Sequence, residues 1–441
     1  MKAAAHPNEF IDVQSLRVGM FVLLEGGWMS HPFPLSQFRI ATAEQIATIR
    51  GLGLKQVRWD PQQSAPAAAN DDAAADADAA EPAALTNTPA ETPAVAAPLP
   101  VAPLPGADAA PPPRHALARQ IESLRVCERQ FAEAGRDLKL ATQLVNGKPR
   151  EAREQAEALS AALVNKMIGA QDLCVQLLSD HAGDKASMHA LNVTIISLLM
   201  GRSFGLPEAE MQDLGVGAML HDIGKAELPE RLRHVDDRLS ASELAFYQEH
   251  VGHGLTHGRR MGLSAGAMQV IAQHHEHADG SGFPHGLATE RLSAPARIVA
   301  LVNRYDNLCN PKLSAHALTP HEALALLFAQ DRARVDTSIL GAFIKMMGVY
   351  PPGSTVQLTD DRYALVVSVN ASRPLKPNVI VHDAAVPRDE ALVVSLEAAP
   401  GIGIRRSVKP TQLPPAALEY LSPRHRVAYY FEPARDAEAP A

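Results

Sequence analysis

Ala218–Lys225 reads AMLHDIGK, an apolar helical stretch running into an imidazole, a carboxylate, a glycine and an ammonium. At a helix end, His221 and Asp222 project about 100° apart on a 3.6-residue turn, so a metal pair lying between the two directions is within reach of both. Lys225 lies three to four residues on and shares that face. Gly224 carries no side chain, and the expectation is that it lets a phosphate approach the backbone. Taken alone, the His-Asp pair is weak evidence and reads first as a capped helix end.

A second stretch, HHEHADGSGFP over His274–Pro284, places two adjacent histidines at a helix end before a glycine-rich turn. Asp279, Gly280 and Gly282 are ordinary turn formers and by themselves indicate only a tight loop. The chain has 18 histidines, and His189, His221, His250, His274 and His275 all fall in predicted helices of the central region. Imidazole nitrogen together with carboxylate oxygen suits iron, manganese or zinc better than calcium or magnesium, and one carboxylate can bridge two cations. His253, His257 and His277 read as helix-surface residues.

Outward from this core, residues 180–350 read as consecutive helices separated by Gly and Pro. Met188, Leu191, Ile195 and Leu199 line one helix face, and Pro207 opens the next helix after a break at Gly201–Gly205. Residues 114–179 are helical with a break at Asn146–Pro149. The stripe Leu117, Ile121, Leu124 and Phe131 fits two antiparallel helices or a stalk that forms a homodimer. Residues 61–113 are almost entirely Ala, Pro, Asp and Thr, which bury too little apolar surface to offset ordering entropy, so a disordered linker is expected. Residues 8–60 read as a small α+β domain, with strands at Met20–Leu24 and Val57–Trp59 and a short helix at Ala43–Leu52. From 351 to 435, short alternating runs such as Ala364–Val369 and Asn378–Val381 indicate a β-rich subdomain. The fold class is mainly α, with a small α+β domain before it and a β-rich tail after it.

The whole chain narrows the function classes. At 441 residues, two or three domains are expected. A net charge of −8 argues against gripping a nucleic-acid polymer, which needs clustered Lys and Arg. The apolar run Leu191–Met200 is too short to span a bilayer and carries Asn192 and Thr194. Glu9 and Asp12 interrupt any secretory pattern, so a cytoplasmic protein is expected. Cys127, Cys174 and Cys309 are isolated and form neither a disulfide framework nor a zinc knuckle.

Together these motifs resemble the HD-GYP family of bacterial cyclic di-GMP phosphodiesterases. The likeness runs from His189 to Tyr350 through HDIGK at 221–225, His250 with Gly254, His274-His275-Glu276 leading into DGSGFP, ARIVALV at 296–302 and GVYPPGS at 348–354. The first sixty residues, with GMFV at 19–22 and HPF at 31–33, resemble the small domain of unknown function that often precedes it. The resemblance implies that His189, His221, Asp222, His250, His274 and His275 ligate two divalent ions, iron or manganese first, with magnesium, zinc or nickel as alternatives. It implies that Asp222 bridges the ions and that Lys225 holds the scissile phosphate of cyclic di-GMP. Gly280, Gly282, Phe283, Arg297 and Lys312 are then candidates for substrate contact. The expected products are pGpG and, after a second cut, GMP.

Four features depart from the family pattern. Phe283 replaces the usual Tyr, and Asn303 replaces an Asp that acts as a late metal ligand, with Asp306 preserved as a supporting residue. Asn310-Pro311-Lys312-Leu313 stands where an Arg-Pro-Tyr stretch is usual. Lys185 stands where some members place a Glu for a third metal, so a two-metal centre is expected. The competing readings are a degenerate receptor or a module that binds a diguanylate cyclase, and hydrolysis of another nucleotide.

Overall fold

A computed structural model of the chain describes residues 9–23, 37–40, 46, 49–50, 54–61, 64, 114–170, 172–179, 185–233, 239–371, 373, 376–399 and 401–433. It divides into two compact units, residues 1–103 and 104–441. In the first, β1 (Glu9–Asp12), β2 (Phe21–Leu23), β3 (Gln37–Arg39) and β4 (Gln56–Asp60) form an antiparallel sheet in the order β1-β4-β2-β3. Val22 and Val57 face a small core with Val13, Leu16, Met20, Ile40, Ile46 and Ile49. The helix expected at Ala43–Leu52 lies largely outside the described residues, as do HPF at 31–33 and all of 61–113 except Pro61 and Ser64.

The second unit opens with a hairpin of α1 (Arg114–Leu144) and α2 (Pro149–Ile168), with proline at the start of α2, where its missing N–H costs nothing. Cys127, Phe131, Ala134, Leu138 and Ala141 of α1 meet Ala152, Ala156, Leu159 and Leu163 of α2 in the same core as the central helices. The stripe expected from Leu117 therefore enters the core further along, and Ile121 stays exposed. Helix does not continue to Ser179. After Ile168 the chain forms a strand, β5 (Leu173–Leu177), whose alternate residues are apolar and buried.

The central helices are α3 (Lys185–Ser203), α4 (Glu208–Leu220), α5 (Ala241–Met261), α6 (Ala265–Gln273), α7 (Ala294–Cys309), α8 (Pro320–Ala329) and α9 (Thr337–Met347). Helix α3 is buried on all sides, its apolar residues together with Asn192, Thr194 and Ser197. Side chains of Ser240, Ser264, Ser293, Thr319 and Asp336 accept backbone N–H groups at the starts of α5 to α9. Each fixes where its helix begins and hence where its inward residues point.

The C-terminal strands are β6 (Thr355–Leu358), β7 (Tyr363–Asn370), β8 (Asn378–Val381), β9 (Val393–Ser395) and β10 (Ile404–Ser407), followed by α10 (Pro415–Leu421) and β11 (Tyr429–Pro433). Their sheet runs β10-β6-β7-β5-β11, with β8 on β7 and β9 on β8, so β5 and β11 pair across more than 250 residues of sequence. Tyr429 and Phe431 of β11 are fully buried in the helical core. The β-rich tail is thus continuous with the helical body. Among the described residues, no helix is long and apolar enough to cross a membrane.

Candidate metal centre

Helix α4 delivers the first histidine and aspartate. His221 closes the helix with helical angles, while Asp222 leaves them at φ −100° and ψ 8° and opens a 3-10 turn, Ile223–Glu227. Gly224 lets this turn seat on α5: a Cβ there would lie 1.9 Å from the His250 carbonyl oxygen and 2.4 Å from the Gly254 nitrogen. The glycine therefore serves backbone approach between two ligand-bearing elements, which corrects the expectation that it makes room for phosphate.

The two oxygens of Asp222 face different histidines. Oδ2 lies 2.6 Å from Lys225 Nζ, 3.3 Å from His221 Nε2 and 3.7 Å from His189 Nε2. Oδ1 lies 3.6 Å from both His250 Nε2 and His274 Nε2. Two sets of candidate ligand atoms result, each within 4.8 Å of one another: His189, His221 and Asp222, and Asp222, His250, His274 and His275. Five elements, α3 to α7 with their ends, converge here, and the first five helix-borne histidines named from the sequence all arrive.

Hydrogen bonds set the tautomers. Nδ1 of His221, His250 and His274 donates to the carbonyl three residues earlier, of Ala218, Tyr247 and Ile271, at 2.7, 2.6 and 2.8 Å. His189 Nδ1 instead meets Asp306 Oδ2 at 2.6 Å. With the proton on Nδ1, each Nε2 presents a lone pair inward. The Nε2 atoms of His250 and His274 face each other at 3.4 Å. Those of His189, His221 and His275, with Asp222 Oδ1, are buried without a hydrogen-bond partner. Converging lone pairs in a buried space repel, and a cation is what satisfies them. The donor set therefore fits divalent metal.

Electrostatics favour the ligating forms of Asp222, His250, His274 and His275. Burial pushes His250 down to about 3 and lowers His274, while burial with His274 and His250 nearby holds His275 well below the usual imidazole range. Burial opposes the charge on Asp222, but Lys225 and His221 outweigh it and keep the carboxyl well below its ordinary value. Burial likewise opposes the Lys225 charge, and Asp222 overcomes it, raising the ammonium's pKa. His189 is raised: burial works against protonation, and its bond to Asp306 prevails.

Around this centre the glycine-rich loop packs closely. Phe283 stacks on His275 at 4.4 Å and 20°, so the ring that replaces Tyr buttresses a candidate ligand. Glu276, buried, accepts from the backbone of His285 and Leu287 at 2.8 Å each. Gly280 has φ +77°, and a Cβ on Gly282 would lie 2.5 Å from the His275 carbonyl oxygen. Both glycines thus shape the loop.

The other candidates are placed differently. Asn303 is buried and its Oδ1 accepts from Asn307 Nδ2 at 2.7 Å. Arg297 is paired with Asp336 at the start of α9, a partner outside the histidine cluster. Lys312 lies exposed in the loop after α7, and the side chain of Lys185 is outside the described residues. His257, read as a surface residue, is buried with Nε2 3.0 Å from Glu227 Oε1. Sequence reasoning missed Tyr247. It supplies the carbonyl that orients His250, and its ring lies 5.3 Å beneath Lys225 Nζ. Its position three residues before His250 is the only signal available.

Family models and known proteins match this chain over defined segments. A family model described as HD domain matches residues 172–339, and one described as domain of unknown function DUF3391 matches 9–156. A cyclic di-GMP phosphodiesterase of Pseudomonas aeruginosa is 28% identical over 380 residues, 84% of this chain and 84% of that protein. The cyclic di-GMP phosphodiesterase response regulator RpfG of Xanthomonas campestris is 32% identical over 150 residues, 33% of this chain and 39% of that protein. A 3'3'-cGAMP-specific phosphodiesterase of Vibrio cholerae is 32% identical over 123 residues, 27% of this chain and 23% of that protein. The solved HDG"Y"P protein Bd1817 of Bdellovibrio bacteriovorus aligns with a TM-score of 0.40 and 14% identity over 76% of this chain and 97% of its own. Helical core and buried histidine-aspartate centre define an HD-type, metal-dependent domain. The chain carries an HD domain with a DUF3391 domain ahead of it, and it is similar to cyclic di-GMP phosphodiesterases.

Proposed function

We propose that this chain is a phosphodiesterase that opens cyclic di-GMP to pGpG, and further to GMP, with two divalent ions, iron or manganese. The observation that carries the reading is the division of the Asp222 carboxylate, with Oδ2 toward His189 and His221 and Oδ1 toward His250 and His274. The names of the Pseudomonas and Xanthomonas relatives supply the substrate class. When bound, such ions acidify water and polarise a phosphoryl oxygen. The chain's own residues then do the rest. Asp222 and the histidine Nε2 atoms, those of His189, His221, His250 and His274 aimed inward by their Nδ1 bonds, hold the cations. Lys225, kept charged by Asp222, offers its ammonium to an anionic phosphate oxygen. Phe283 against His275 and the Gly280–Gly282 turn wall the loop side of the centre and fix how substrate enters.

The likeness to a 3'3'-cGAMP-specific enzyme favours the mixed dinucleotide as the second reading. The test incubates the full chain, loaded with manganese or ferrous iron, with cyclic di-GMP, 3'3'-cGAMP and cyclic di-AMP in parallel and follows linear products by chromatography. The fastest conversion is expected for cyclic di-GMP. Faster conversion of 3'3'-cGAMP reassigns the substrate, and binding without product from any of the three makes the chain a receptor.

A further inference from the structure

His189 differs from the other oriented histidines in what holds it. Nδ1 of His221, His250 and His274 is tied to its own local backbone, whereas His189 Nδ1 is tied to Asp306, 117 residues away in sequence, at 2.6 Å. Its aim therefore depends on what fixes Asp306. That carboxylate is fully buried, and a buried anion persists only when donors saturate it. Oδ1 of Asp306 accepts from Asn192 Nδ2 at 2.8 Å and Asn310 Nδ2 at 2.9 Å.

The two asparagines are in turn clamped by the C-terminal chain. Both amides also donate to the Val427 carbonyl at 2.9 Å. Asn310 Oδ1 accepts from the Val427 N–H at 2.9 Å, and Asn192 Oδ1 accepts from the Tyr429 N–H at 3.0 Å. An amide satisfied at both oxygen and nitrogen by a fixed backbone has one orientation, and here that orientation presents N–H to Asp306. Residues 427–429 lead into β11, which is locked to β5 from Tyr429↔Leu177 to Pro433↔Leu173. A continuous path of hydrogen bonds thus joins the C-terminal strand to one imidazole.

We propose that the Val427–Tyr429 backbone, acting through Asn192, Asn310 and Asp306, is a positioning element for His189. The C-terminal segment thereby sets the affinity of one of the two metal positions, the one facing Asp222 Oδ2. The other position, facing Oδ1, draws on His250, His274 and His275 and does not use this path. The inference rests on the reading of the cluster as a binuclear centre.

The test strips the full chain with chelator and titrates Mn2+, reading bound metal per chain, with thermal unfolding as a fold control and cyclic di-GMP turnover alongside. Wild type is expected to bind two ions. Asn192→Ala and Asn310→Ala are expected to keep one and to hold the second at least about tenfold more weakly, the usual scale for loss of a group behind a metal ligand. Their kcat falls at limiting Mn2+ and recovers in excess, with KM unchanged. Asn310→Ser, which keeps a donor, loses less. Asn310 is half-buried, so its variants carry the test if Asn192→Ala unfolds. Variants that retain both ions at wild-type affinity overturn the proposal. A wild type that binds no metal overturns the underlying centre instead.

Discussion

Asp222 is shared between two sets of imidazoles because each of its oxygens looks a different way, and the backbone change at that residue makes this geometry available. The neighbouring question is Asn303, where a neutral amide stands at a position whose family counterpart is anionic. Asn303→Asp would add a charge at this buried position while its bond from Asn307 can persist. Mn2+ affinity is expected to rise about tenfold, or about 1.4 kcal/mol, measured by calorimetric titration of stripped protein. An unchanged affinity shows that residue 303 takes no part in binding. At this scale the residues that converge were legible through the combined motifs and the family they resemble, because a His-Asp pair alone reads as a capped helix end. Arg297 was not, because nothing in a sequence reveals that Asp336 already claims its guanidinium. Tyr247 contributes largely through its backbone carbonyl, and a carbonyl leaves no mark in residue identity.

The elements meet through a few tight approaches, of which the seat of the Ile223–Glu227 turn on α5 matters most. Gly224→Ala drives a Cβ into the His250 carbonyl and the Gly254 nitrogen, backbone atoms that cannot rotate away. The expected cost is about 1–3 kcal/mol, the usual range for overpacking, read from urea unfolding. Turnover is expected to fall further than stability, because Lys225 and Asp222 ride on the displaced turn. An alanine variant with wild-type activity would show that turn and helix are not coupled. The helices themselves were readable from period and caps, while β5 was not. Leu173–Leu177 follows a long helix, and its pairing partner is almost at the other end of the chain.

Across the whole molecule, the buried histidines make the metal-free fold acid-sensitive. His250 lies at about 3 and His274 and His275 are lowered, against an ordinary value of 6.5. As pH falls from about 6.5 toward 3, the unfolded chain binds protons that the folded chain refuses, so stability falls through that window. His189, raised by Asp306, works in the opposite direction but is one group against three. Asp222, lowered, keeps its contribution until the pH drops below its ordinary 3.8. Stripped protein is therefore expected to melt at a lower temperature at pH 5 than at pH 7, by differential scanning calorimetry; equal melting temperatures would mean the rings are not buried neutral. The bond path from β11 to His189 was invisible to sequence reasoning, which treated residues 351–435 as a tail, because asparagine–backbone bonds across more than 100 residues leave no local pattern. Anomalous scattering from crystals grown with manganese tests the central claim most directly. The account predicts two peaks, one among His189, His221 and Asp222 Oδ2 and one among Asp222 Oδ1, His250, His274 and His275, with both lost in Asp222→Ala. One peak or none in the wild-type chain, or two peaks that survive removal of that carboxylate, would contradict it.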